Sequence, residues 1–566
     1  MPKIEVIEDT LYQLVGKRFD EEELISILTS AKAELDSRVP EEGLLKIELN
    51  DTNRPDLWSA TGLARHLRIF LSAKLPTYNF FSTKEESKDW GNRTVEVDTT
   101  LKSIRPYITA FAVSGKSIDE PMLKDIIQSQ EKLCWNYGRK RKSIAMGIYR
   151  SDLITYPVKY FAAEPDKTKF LPLGFEKELT LREILTQHPK GVEFGYIVEN
   201  FHRFPFLTDA HGGVLSLPPI INSARIGAVQ VGDSELFIEL TGTDYPSLLH
   251  ATSIMACDLA DSGFTILPVK TIYPYDTPYG REVVTPFYFQ DPITLDLGDA
   301  SKLLGVEITP EEAKKNVTRL GCKASLKDNF ITVTPPEYRN DFLHPVDIIE
   351  DIMIGRGMET FQPIMPTEFT VGRLTREEEF ARKVKEIMIG LGFQEMIYSY
   401  LGSRKDFIDS MGIPEDRVIR IENPMTEKYE YVRNSILPNL LCSESVSANA
   451  VYPHHIFEIG KIVYPEPAQN YGTDTRNYLG FLSSDRNVGF NEANSLVSAV
   501  FFYLSRDYAL EETSDPRFIR GRAAEIVYNG KNVGIFGEIH PRVLENWGIQ
   551  MPCTGCEIDL DKLLEE

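Results

Sequence analysis

The sequence is short of several features, and each shortage excludes a class of protein. Only 6 cysteines occur among 566 residues, which excludes a disulfide framework and indicates a reducing compartment. Cys553 and Cys556 form the only CxxC pair, and one such pair is weak evidence for zinc, so a packing role is favoured. No run of about 18 apolar residues occurs, which excludes a membrane-spanning helix. The first ten residues lack the apolar segment of a signal peptide, and we therefore expect a cytoplasmic protein without a membrane partner.

Positive charge is also scarce. The formal net charge is −22, so bulk attraction to nucleic acid is absent and any such binding must use a local basic patch. The densest basic run is residues 138–142, Gly-Arg-Lys-Arg-Lys. It is typical either of a solvated turn or of a phosphate-contacting patch, and the sequence leaves both interpretations open.

Length and patterning predict an α+β multi-domain protein. A chain of 566 residues corresponds to about four domains as a prior. The texture of the sequence changes along the chain, and we place the domains at residues 1–84, 85–275, 276–365 and 366–566. Residues 85–275 have the strands and long loops of a mixed-sheet domain. Residues 366–566 combine a helix that begins after Thr375, with Glu378 in a capping box, and an antiparallel sheet that ends in an Asn529-Gly530 hairpin.

The first and third domains contain an internal repeat. Residues 14–23 align with residues 303–312, where Asp20 and Thr309 are predicted helix caps. Further on, Arg54-Pro55-Asp56 aligns with Arg339-Asn340-Asp341, and each is followed by a helix. Both copies are predicted to be winged-helix-like modules.

An acidic stretch marks the second copy. Asp347, Glu350 and Asp351 are spaced to lie on one face of a helix that begins at Pro345, and Asp341 lies just ahead of it. Such a cluster is typical of a solvated helix start, but four carboxylates also suit Mg²⁺. The first copy has Gly62, Arg65 and His66 instead of these helical acids, which favours a function for them beyond the fold.

Small polar side chains at strand ends suggest a pocket in the second domain. The candidates lie in residues 212–223 and in the segment that follows the strand at 236–240. Such clusters suit a polar-lined pocket, and they are also common in plain turns. The residues that we select as tentative catalytic or binding groups are Leu207, Ser216, Asn222, Thr241, Thr243 and Asp244.

The order and spacing of several short motifs resemble the β subunit of phenylalanyl–tRNA synthetase along essentially the whole chain. The matching stretches are residues 53–57, 218–223, 241–244, 339–351, 423–425, 433, 457–460 and 537–541. The chain is similar to the shorter archaeal and eukaryotic-cytosolic form, because it lacks the inserted barrel and the terminal anticodon module of the long bacterial form.

The resemblance implies a partner and a division of labour. The enzyme of this family contains two α and two β chains and joins phenylalanine to tRNA(Phe), with the ATP and phenylalanine sites on the α subunit. Residues 366–566 resemble a class II synthetase domain that has lost catalysis. Arg433 lies where an ATP-contacting arginine is expected, but no glycine-rich segment leads to a second arginine. The helix at 375–392 and the strand after it are expected near the α subunit.

The resemblance also implies two sites. The family's bound Mg²⁺ maps onto Asp341, Asp347, Glu350 and Asp351. The middle domain resembles the family's editing domain, which hydrolyses tyrosine mistakenly attached to the tRNA, and the six pocket candidates belong to it. Two alternatives stay open: a non-catalytic nucleic-acid-binding assembly protein, and a free-standing hydrolase of mischarged tRNA.

Overall fold

A computed structural model describes residues 2–565, which fall into two compact units divided between Ile364 and Met365. The protein has a mixed α/β architecture with several separate sheets. Across the described residues, no helix is both long and apolar enough to cross a membrane.

The first repeat is a three-stranded sheet covered by helices. Its strand order is β1-β3-β2, with antiparallel neighbours. The elements are β1 (Lys3–Ile7), α1 (Glu8–Val15), α2 (Glu21–Leu28), β2 (Ala33–Val39), β3 (Leu44–Leu49) and α3 (Ala60–Ser72).

The second repeat has the same element order and the strand order β16-β18-β17, which confirms the internal repeat. Its elements are β16 (Ile293–Asp296), α8 (Leu297–Leu304), α9 (Pro310–Arg319), β17 (Lys323–Lys327), β18 (Phe330–Thr334) and α10 (Pro345–Arg356). Helix α10 begins at Pro345, as predicted, and Gly357 follows it with a φ of +101°.

The domain between the repeats contains a ten-stranded sheet of order β12-β11-β10-β7-β4-β14-β5-β13-β6, with β15 paired to β14. Strand β15 lies beyond the boundary predicted at residue 275. A separate pair joins β8 to β9. The strands are β4 (Thr94–Val97), β5 (Tyr107–Ser114), β6 (Ile144–Arg150), β7 (Val158–Ala163), β8 (Lys169–Phe170), β9 (Leu179–Thr180), β10 (Phe204–Thr208), β11 (Val214–Leu217), β12 (Ile221–Asn222), β13 (Leu236–Gly242), β14 (Thr265–Ile272) and β15 (Glu282–Thr285). The helices are α4 (Glu120–Lys132), α5 (Leu181–Gln187), α6 (Pro189–Phe194) and α7 (Tyr245–Asp261).

The second unit is built on a seven-stranded sheet of order β19-β23-β24-β28-β27-β26-β25, antiparallel except where β19 meets β23. A small sheet joins β20, β22 and β21. The strands are β19 (Gln394–Glu395), β20 (Leu401–Gly402), β21 (Ile419–Arg420), β22 (Tyr431–Val432), β23 (His454–Pro465), β24 (Thr473–Ser484), β25 (Ala509–Glu512), β26 (Phe518–Tyr528), β27 (Lys531–Ile539) and β28 (Cys553–Asp559). The helices are α11 (Arg376–Gly390), α12 (Leu437–Val446), α13 (Phe490–Leu504), α14 (Pro541–Trp547) and α15 (Leu560–Leu564).

Local signals in the sequence fix several of these boundaries. Asp20, Thr309 and Thr375 each accept a hydrogen bond from the third helical amide, as predicted. Asn529 and Gly530 have φ values of +48° and +73° between β26 and β27. These values suit the type I′ turn that an Asn-Gly hairpin uses.

Candidate active site

The candidate pocket lies where the two ends of the large sheet approach each other. Strands β6 and β12 are at opposite ends of the strand order, yet the Arg150 amide at the end of β6 donates to the carbonyl of Ile226, four residues beyond β12, over 3.0 Å. The side chain of Asn222, in β12, donates from Nδ2 to the Ile148 carbonyl of β6 over 3.4 Å. The sheet is therefore curled, and the strands on the two sides of this approach are called the two walls of the candidate site.

Three of the predicted residues lie side by side on neighbouring strands. Leu207 of β10 is opposite Ser216 of β11, and Ser216 is opposite Asn222 of β12. Residues directly opposite each other in a sheet share a face. Leu207 and Ser216 are buried and Asn222 is half-buried, so one wall of the site has an apolar end and an open polar end.

A buried carboxylate forms the other wall. Tyr149 Oη of β6 donates to Glu239 Oε1 of β13 over 2.8 Å and lies 2.8 Å from Ser216 Oγ, which connects the two walls. Gly147 lies opposite Glu239, and a Cβ atom there would fall 2.0 Å from Tyr149 Oη, so glycine is required.

The environment of Glu239 gives it unusual chemistry. Its Oε2 atom is buried and has no hydrogen-bond partner among the described residues. Burial raises the pKa of Glu239 to about 7, against the opposing effects of Tyr149 and Arg105. A buried acceptor without a partner is costly, and a ligand hydroxyl would supply what is missing.

Thr241 lies two residues further along β13, on the same face as Glu239. Arg105 Nε donates to Thr241 Oγ1 over 3.0 Å, and Arg105 Nη2 donates to the Thr241 carbonyl over 2.6 Å. Thr241 is fully buried, so its hydroxyl holds the arginine in place at the end of the strand.

The remaining two predicted residues lie elsewhere. Asp244 is exposed and accepts a hydrogen bond from the Ser247 amide over 2.8 Å, which caps α7. Thr243 is also exposed, and both residues line a groove next to Trp135 and Arg139. The structure thus brings Leu207, Ser216, Asn222 and Thr241 to the curled sheet and places Thr243 and Asp244 on a neighbouring surface.

Sequence reasoning missed Glu239, Tyr149 and Arg105. A signal for Glu239 was present, because it is the only charged residue in the buried and largely apolar strand β13. Tyr149 and Arg105 gave no local signal, since their roles depend on contacts with residues at least 37 positions away.

The four predicted magnesium ligands have protein partners in this structure. Arg339 binds Asp341 through Nε and Nη2, at 3.0 and 2.6 Å, and binds Asp351 through Nη1, at 2.6 Å. All three side chains are buried. Burial alone would raise the pKa of Asp341, but Arg339 outweighs it and lowers that pKa to about 2. For Asp351 burial is the larger effect, and its pKa is raised.

Asp347 and Glu350 point to other partners. The Asp347 carboxylate accepts hydrogen bonds from the Leu343 and His344 amides, both at 2.7 Å, and completes the cap of α10. Glu350 lies 2.5 Å from Lys32 Nζ in the first repeat. Within residues 2–565 no three His, Cys, Asp or Glu side chains are grouped to hold a metal ion. The four acids do not fit a metal cage in this arrangement, and the Mg²⁺ site stays a prediction.

In the second unit, burial also describes the environment of Arg433 and of the two cysteines near the end of the chain. Arg433 is fully buried, and its Nη1 and Nη2 atoms donate to Glu458 over 2.7 and 2.9 Å. Arg433 is thus paired within the protein, and the expectation that this unit carries out no adenylate chemistry stays a prediction. Cys553 and Cys556 are free and buried in separate core clusters, which confirms that their role is packing. The strand expected after the helix at 375–392 is only two residues long, Gln394–Glu395.

Family models match three parts of the chain. The Phe-tRNA synthetase beta subunit B1 domain matches residues 1–73, and the tRNA synthetase B5 domain matches residues 293–358. The Phenylalanyl tRNA synthetase beta chain CLM domain matches residues 362–560. Together with the multi-sheet fold, these matches define a subunit of an aminoacyl-tRNA synthetase.

Full-length relatives make the assignment specific. Proteins named Phenylalanine–tRNA ligase beta subunit are 48% identical in Borrelia hermsii and 47% identical in Borreliella burgdorferi, over 100% of this chain and 100% of each relative. The chain therefore belongs to the phenylalanine–tRNA ligase beta subunit family, as the sequence resemblance predicted. Its assignment to the shorter archaeal and eukaryotic form stays a prediction.

A solved structure supports the fold of the first unit. An N-terminal fragment of the phenylalanyl-tRNA synthetase beta subunit from Pyrococcus horikoshii is 36% identical and covers 63% of this chain and 100% of the fragment. The TM-score is 0.59.

Proposed function

We propose that this chain assembles with an α subunit, as two α and two β chains, into an enzyme that attaches phenylalanine to tRNA(Phe), and that its middle domain hydrolyses tyrosine mistakenly attached to that tRNA. The observation that carries the second part is buried Glu239, whose Oε2 atom has no partner among the described residues and whose Oε1 atom is connected to Ser216 through the Tyr149 hydroxyl.

The need for a second site follows from the chemistry of selection. An apolar pocket for phenylalanine cannot strongly reject an analogue that adds one hydroxyl, and such a pocket discriminates by about 10²-fold. A site that must hydrogen-bond the hydroxyl rejects the analogue without it by about 10⁴- to 10⁵-fold, because its own polar group would stay unpaired. Glu239 is such a group, since its ionised carboxylate accepts hydrogen bonds only. It would accept the tyrosyl phenol and be left unsatisfied by phenylalanine.

The opposite wall supplies groups for the rest of the substrate. Leu207 gives an apolar surface for the ring, while Ser216 and Asn222 offer a hydroxyl and an amide. Hydrolysis of an aminoacyl ester needs a positioned water and donors for the oxygen on which charge develops. Asn222 is half-buried at the open end of this wall, which suits the ester end of the substrate.

Synthesis is assigned to the α subunit for a local reason. In the second unit, Arg433, which lies where an ATP-contacting arginine is expected, forms an ion pair with Glu458 and is fully buried. The last turn of α11 and the segment after it instead present apolar side chains, with Ile397 87% exposed and Ile389 and Tyr400 also exposed. Exposed apolar residues of this kind suit burial against a partner chain, which supports the predicted α interface.

The test of editing uses the α–β complex with Asn222→Ala and Glu239→Gln variants. We expect phenylalanine charging to be unchanged, and clearance of preformed Tyr-tRNA(Phe) to fall by about 10²-fold or more because a buried polar contact to the substrate is lost. Glu199→Gln is the matched control, because Glu199 is an exposed glutamate in the same domain. Clearance that is equal in the parent and in both variants would remove these residues from the site.

The pH dependence gives a second readout. Because the pKa of Glu239 is raised to about 7, its carboxylate becomes protonated as the pH falls below 7 and loses acceptor capacity. We expect Tyr-tRNA clearance by the parent to decrease from pH 8 to pH 6. The Glu239→Gln variant should show no corresponding decrease over that range.

A further inference from the structure

The basic run has an unusual backbone shape. Arg139, Lys140 and Arg141 are consecutive and have φ values of +51°, +54° and +66°. Residues other than glycine rarely adopt this left-handed backbone conformation, and it persists only where the surrounding contacts impose it. Here the Lys140 amide donates to the Trp135 carbonyl over 2.7 Å and the Arg141 amide to the Cys134 carbonyl over 2.8 Å. Backbone hydrogen bonds therefore hold this turn in a defined conformation.

This turn is attached to both walls of the candidate pocket. Arg141 Nη1 donates to the Pro219 and Ile220 carbonyls, at 3.1 and 2.9 Å, which lie between β11 and β12. The Arg105 guanidinium donates to the Lys142 carbonyl over 2.9 Å and also holds Thr241 of β13. The basic run thus forms part of the rim around the site.

Exposed aromatic rings alternate with the cations of this rim. Trp135 is 45% exposed, and Lys140 Nζ lies 5.4 Å from its ring centroid. Tyr196 is 42% exposed, and Lys142 Nζ lies 5.4 Å from its ring centroid. Within the described part of the chain, Arg139, Lys140 and Lys142 form no salt bridge. Unpaired cations are a local exception in a chain with a net charge of −22.

A groove extends from this surface. Its volume is about 860 Å³, and its lining includes Trp135, Arg139, Thr243, Asp244 and Trp58 of the first repeat. That volume is within the range of ligand sites in proteins. The groove therefore gives room for a ligand beside the exposed Trp135 ring.

We propose that Trp135, Arg139, Lys140, Lys142 and Tyr196 form a binding surface for the single-stranded end of an RNA and direct that end into the candidate pocket. Aromatic rings stack on the faces of unpaired bases while neighbouring cations bind the backbone phosphates. Duplex RNA does not offer free base faces, because its bases are already stacked within the helix. The biological substrate of the surface rests on the proposed function, but binding can be measured without hydrolysis.

The experiment compares two RNA probes on the α–β complex. One is a short hairpin with a four-nucleotide single-stranded 3′ end, and the other is the same hairpin with a blunt end. Trp135→Ala should weaken the tailed probe about tenfold, which corresponds to the loss of one stacked base, and leave the blunt probe unchanged. Trp135→Phe keeps a stacking ring and should restore most of the affinity.

The cations are tested by the salt dependence of binding. Replacing Lys140 and Lys142 together by alanine should reduce the slope of log affinity against log salt by about 1.4, since each phosphate contact to a single strand contributes about 0.7. Phe330→Ala and Lys302→Ala are controls, because they remove an exposed ring and an exposed lysine in the second repeat. Both should bind the tailed probe like the parent.

Three results would overturn the proposal. They are unchanged affinity of Trp135→Ala and Tyr196→Ala for the tailed probe, an equal loss on the tailed and blunt probes, and stronger competition by polyglutamate than by single-stranded RNA. Thermal unfolding of each variant should match the parent, since the replaced side chains are exposed.

Failure of this proposal and failure of editing are distinguishable. Glu239→Gln should bind the tailed probe like the parent while it loses Tyr-tRNA clearance. If the parent binds the tailed probe through Trp135 but clears no Tyr-tRNA, the RNA surface stands and the editing function fails. If Trp135→Ala binds like the parent while Glu239→Gln loses clearance, editing stands and the surface fails.

Discussion

Each of the two repeats contains an equivalent buried ion pair. Arg54 binds Asp56 through Nε and Nη2, both at 2.8 Å, and Arg339 binds Asp341 through the same two atoms. In each copy the pair lies between the hairpin and the last helix, in the Arg-x-Asp motif that the sequence repeats. Because the paired side chains are buried in both copies, we infer that the fold itself requires this pair.

The helix that follows differs between the copies, and each difference has a structural reason. In the first copy a Cβ atom at Gly62 would lie 1.9 Å from the Asp56 carbonyl oxygen, so an aspartate like Asp347 cannot occupy that position. Arg65 binds Asp258 and Asp261 of the middle domain, at 2.9 and 3.0 Å. In the second copy the equivalent Glu350 binds Lys32 of the first.

The contacts of the two helices weaken the case for a metal site in the second repeat. The absence of the helical acids from the first copy suggested a function beyond the fold. The contacts instead explain the difference by what each helix touches. Divergence between repeats therefore identifies residues that contact different neighbours, and by itself it does not identify a metal site.

The largest expected effect comes from breaking the shared pair. Arg339→Met leaves two carboxylates, Asp341 and Asp351, buried without the cation that pairs them, and we expect a loss of about 3–5 kcal/mol in the free energy of unfolding. Arg54→Met leaves only Asp56 and should cost less. Denaturant unfolding of the α–β complex measures both, and Arg225→Met, at an exposed arginine, is the control. An equal or larger loss for Arg54→Met would break the comparison.

The next effect concerns the position that is His66 in one copy and Asp351 in the other. Burial, with a contribution from Arg54, lowers the pKa of His66 to about 3 from an ordinary value of 6.5. The unfolded state then binds more protons between these values, so stability is complete above pH 6.5 and decreases by about 1.4 kcal/mol per unit as the pH falls toward 3.

The variant His66→Gln should lack this part of the pH dependence, measured as the difference in unfolding free energy from the parent. Asp351, whose pKa is raised, affects the pH dependence in the opposite direction, because stability decreases as the pH rises through the folded-state pKa of this group. Asp351→Asn should therefore remove a slope of the other direction. Parallel slopes in the parent and His66→Gln would show that His66 is not held neutral.

The third effect tests the cap and the magnesium prediction together. Asp347→Ala removes the acceptor for two amides and should lower stability by about 1 kcal/mol. The Mg²⁺ prediction expects the parent's melting temperature to respond to Mg²⁺ and to a chelator, and expects that response to vanish in Asp347→Ala. If Asp347→Ala loses the same stability with and without chelator, Asp347 acts only as a helix cap and the Mg²⁺ prediction fails at this residue. Asp299→Ala, at an exposed acid in the second repeat, is the control.

The smallest effect is expected for the contact between the copies. Glu350 and Lys32 are both partly exposed, and Lys32 also binds Asp51 at 2.5 Å. Glu350→Gln should therefore cost only about 0.5 kcal/mol, as is usual for exposed pairs. A double-mutant cycle with Lys32→Ala measures the coupling. A coupling energy several times larger would show that this contact holds the repeats together.

Sequence reasoning succeeded where the deciding contacts are local. Helix caps at Asp20, Thr309 and Thr375, the start of α10 at Pro345 and the Asn529-Gly530 hairpin were all predicted, because each depends on residues within four positions. The repeat was recognised because it preserves these local signals twice.

It failed where contacts cross the fold. The pairing of Glu239 with Tyr149 joins residues 90 positions apart, and no pattern in either strand predicts it. The acids of α10 were correctly placed on a helix, but the cations that bind Asp351 and Glu350 come from a loop and from the other repeat. Spacing can place side chains on one face, but tertiary contacts decide which charges meet.

The meeting of β6 and β12 has a consequence for entry into the pocket. Within the described strands no ladder joins these two edges. The contacts near them are the hydrogen bond from the Arg150 amide to the Ile226 carbonyl, beyond β12, and the one from the Asn222 side chain to the Ile148 carbonyl. A seam of this kind opens at far lower cost than a continuous ladder, because neither strand has to give up its partner on the other side. On the proposed editing function, the bulky end of a charged tRNA would be admitted sideways, between the margins of the sheet, while the core beneath stays closed.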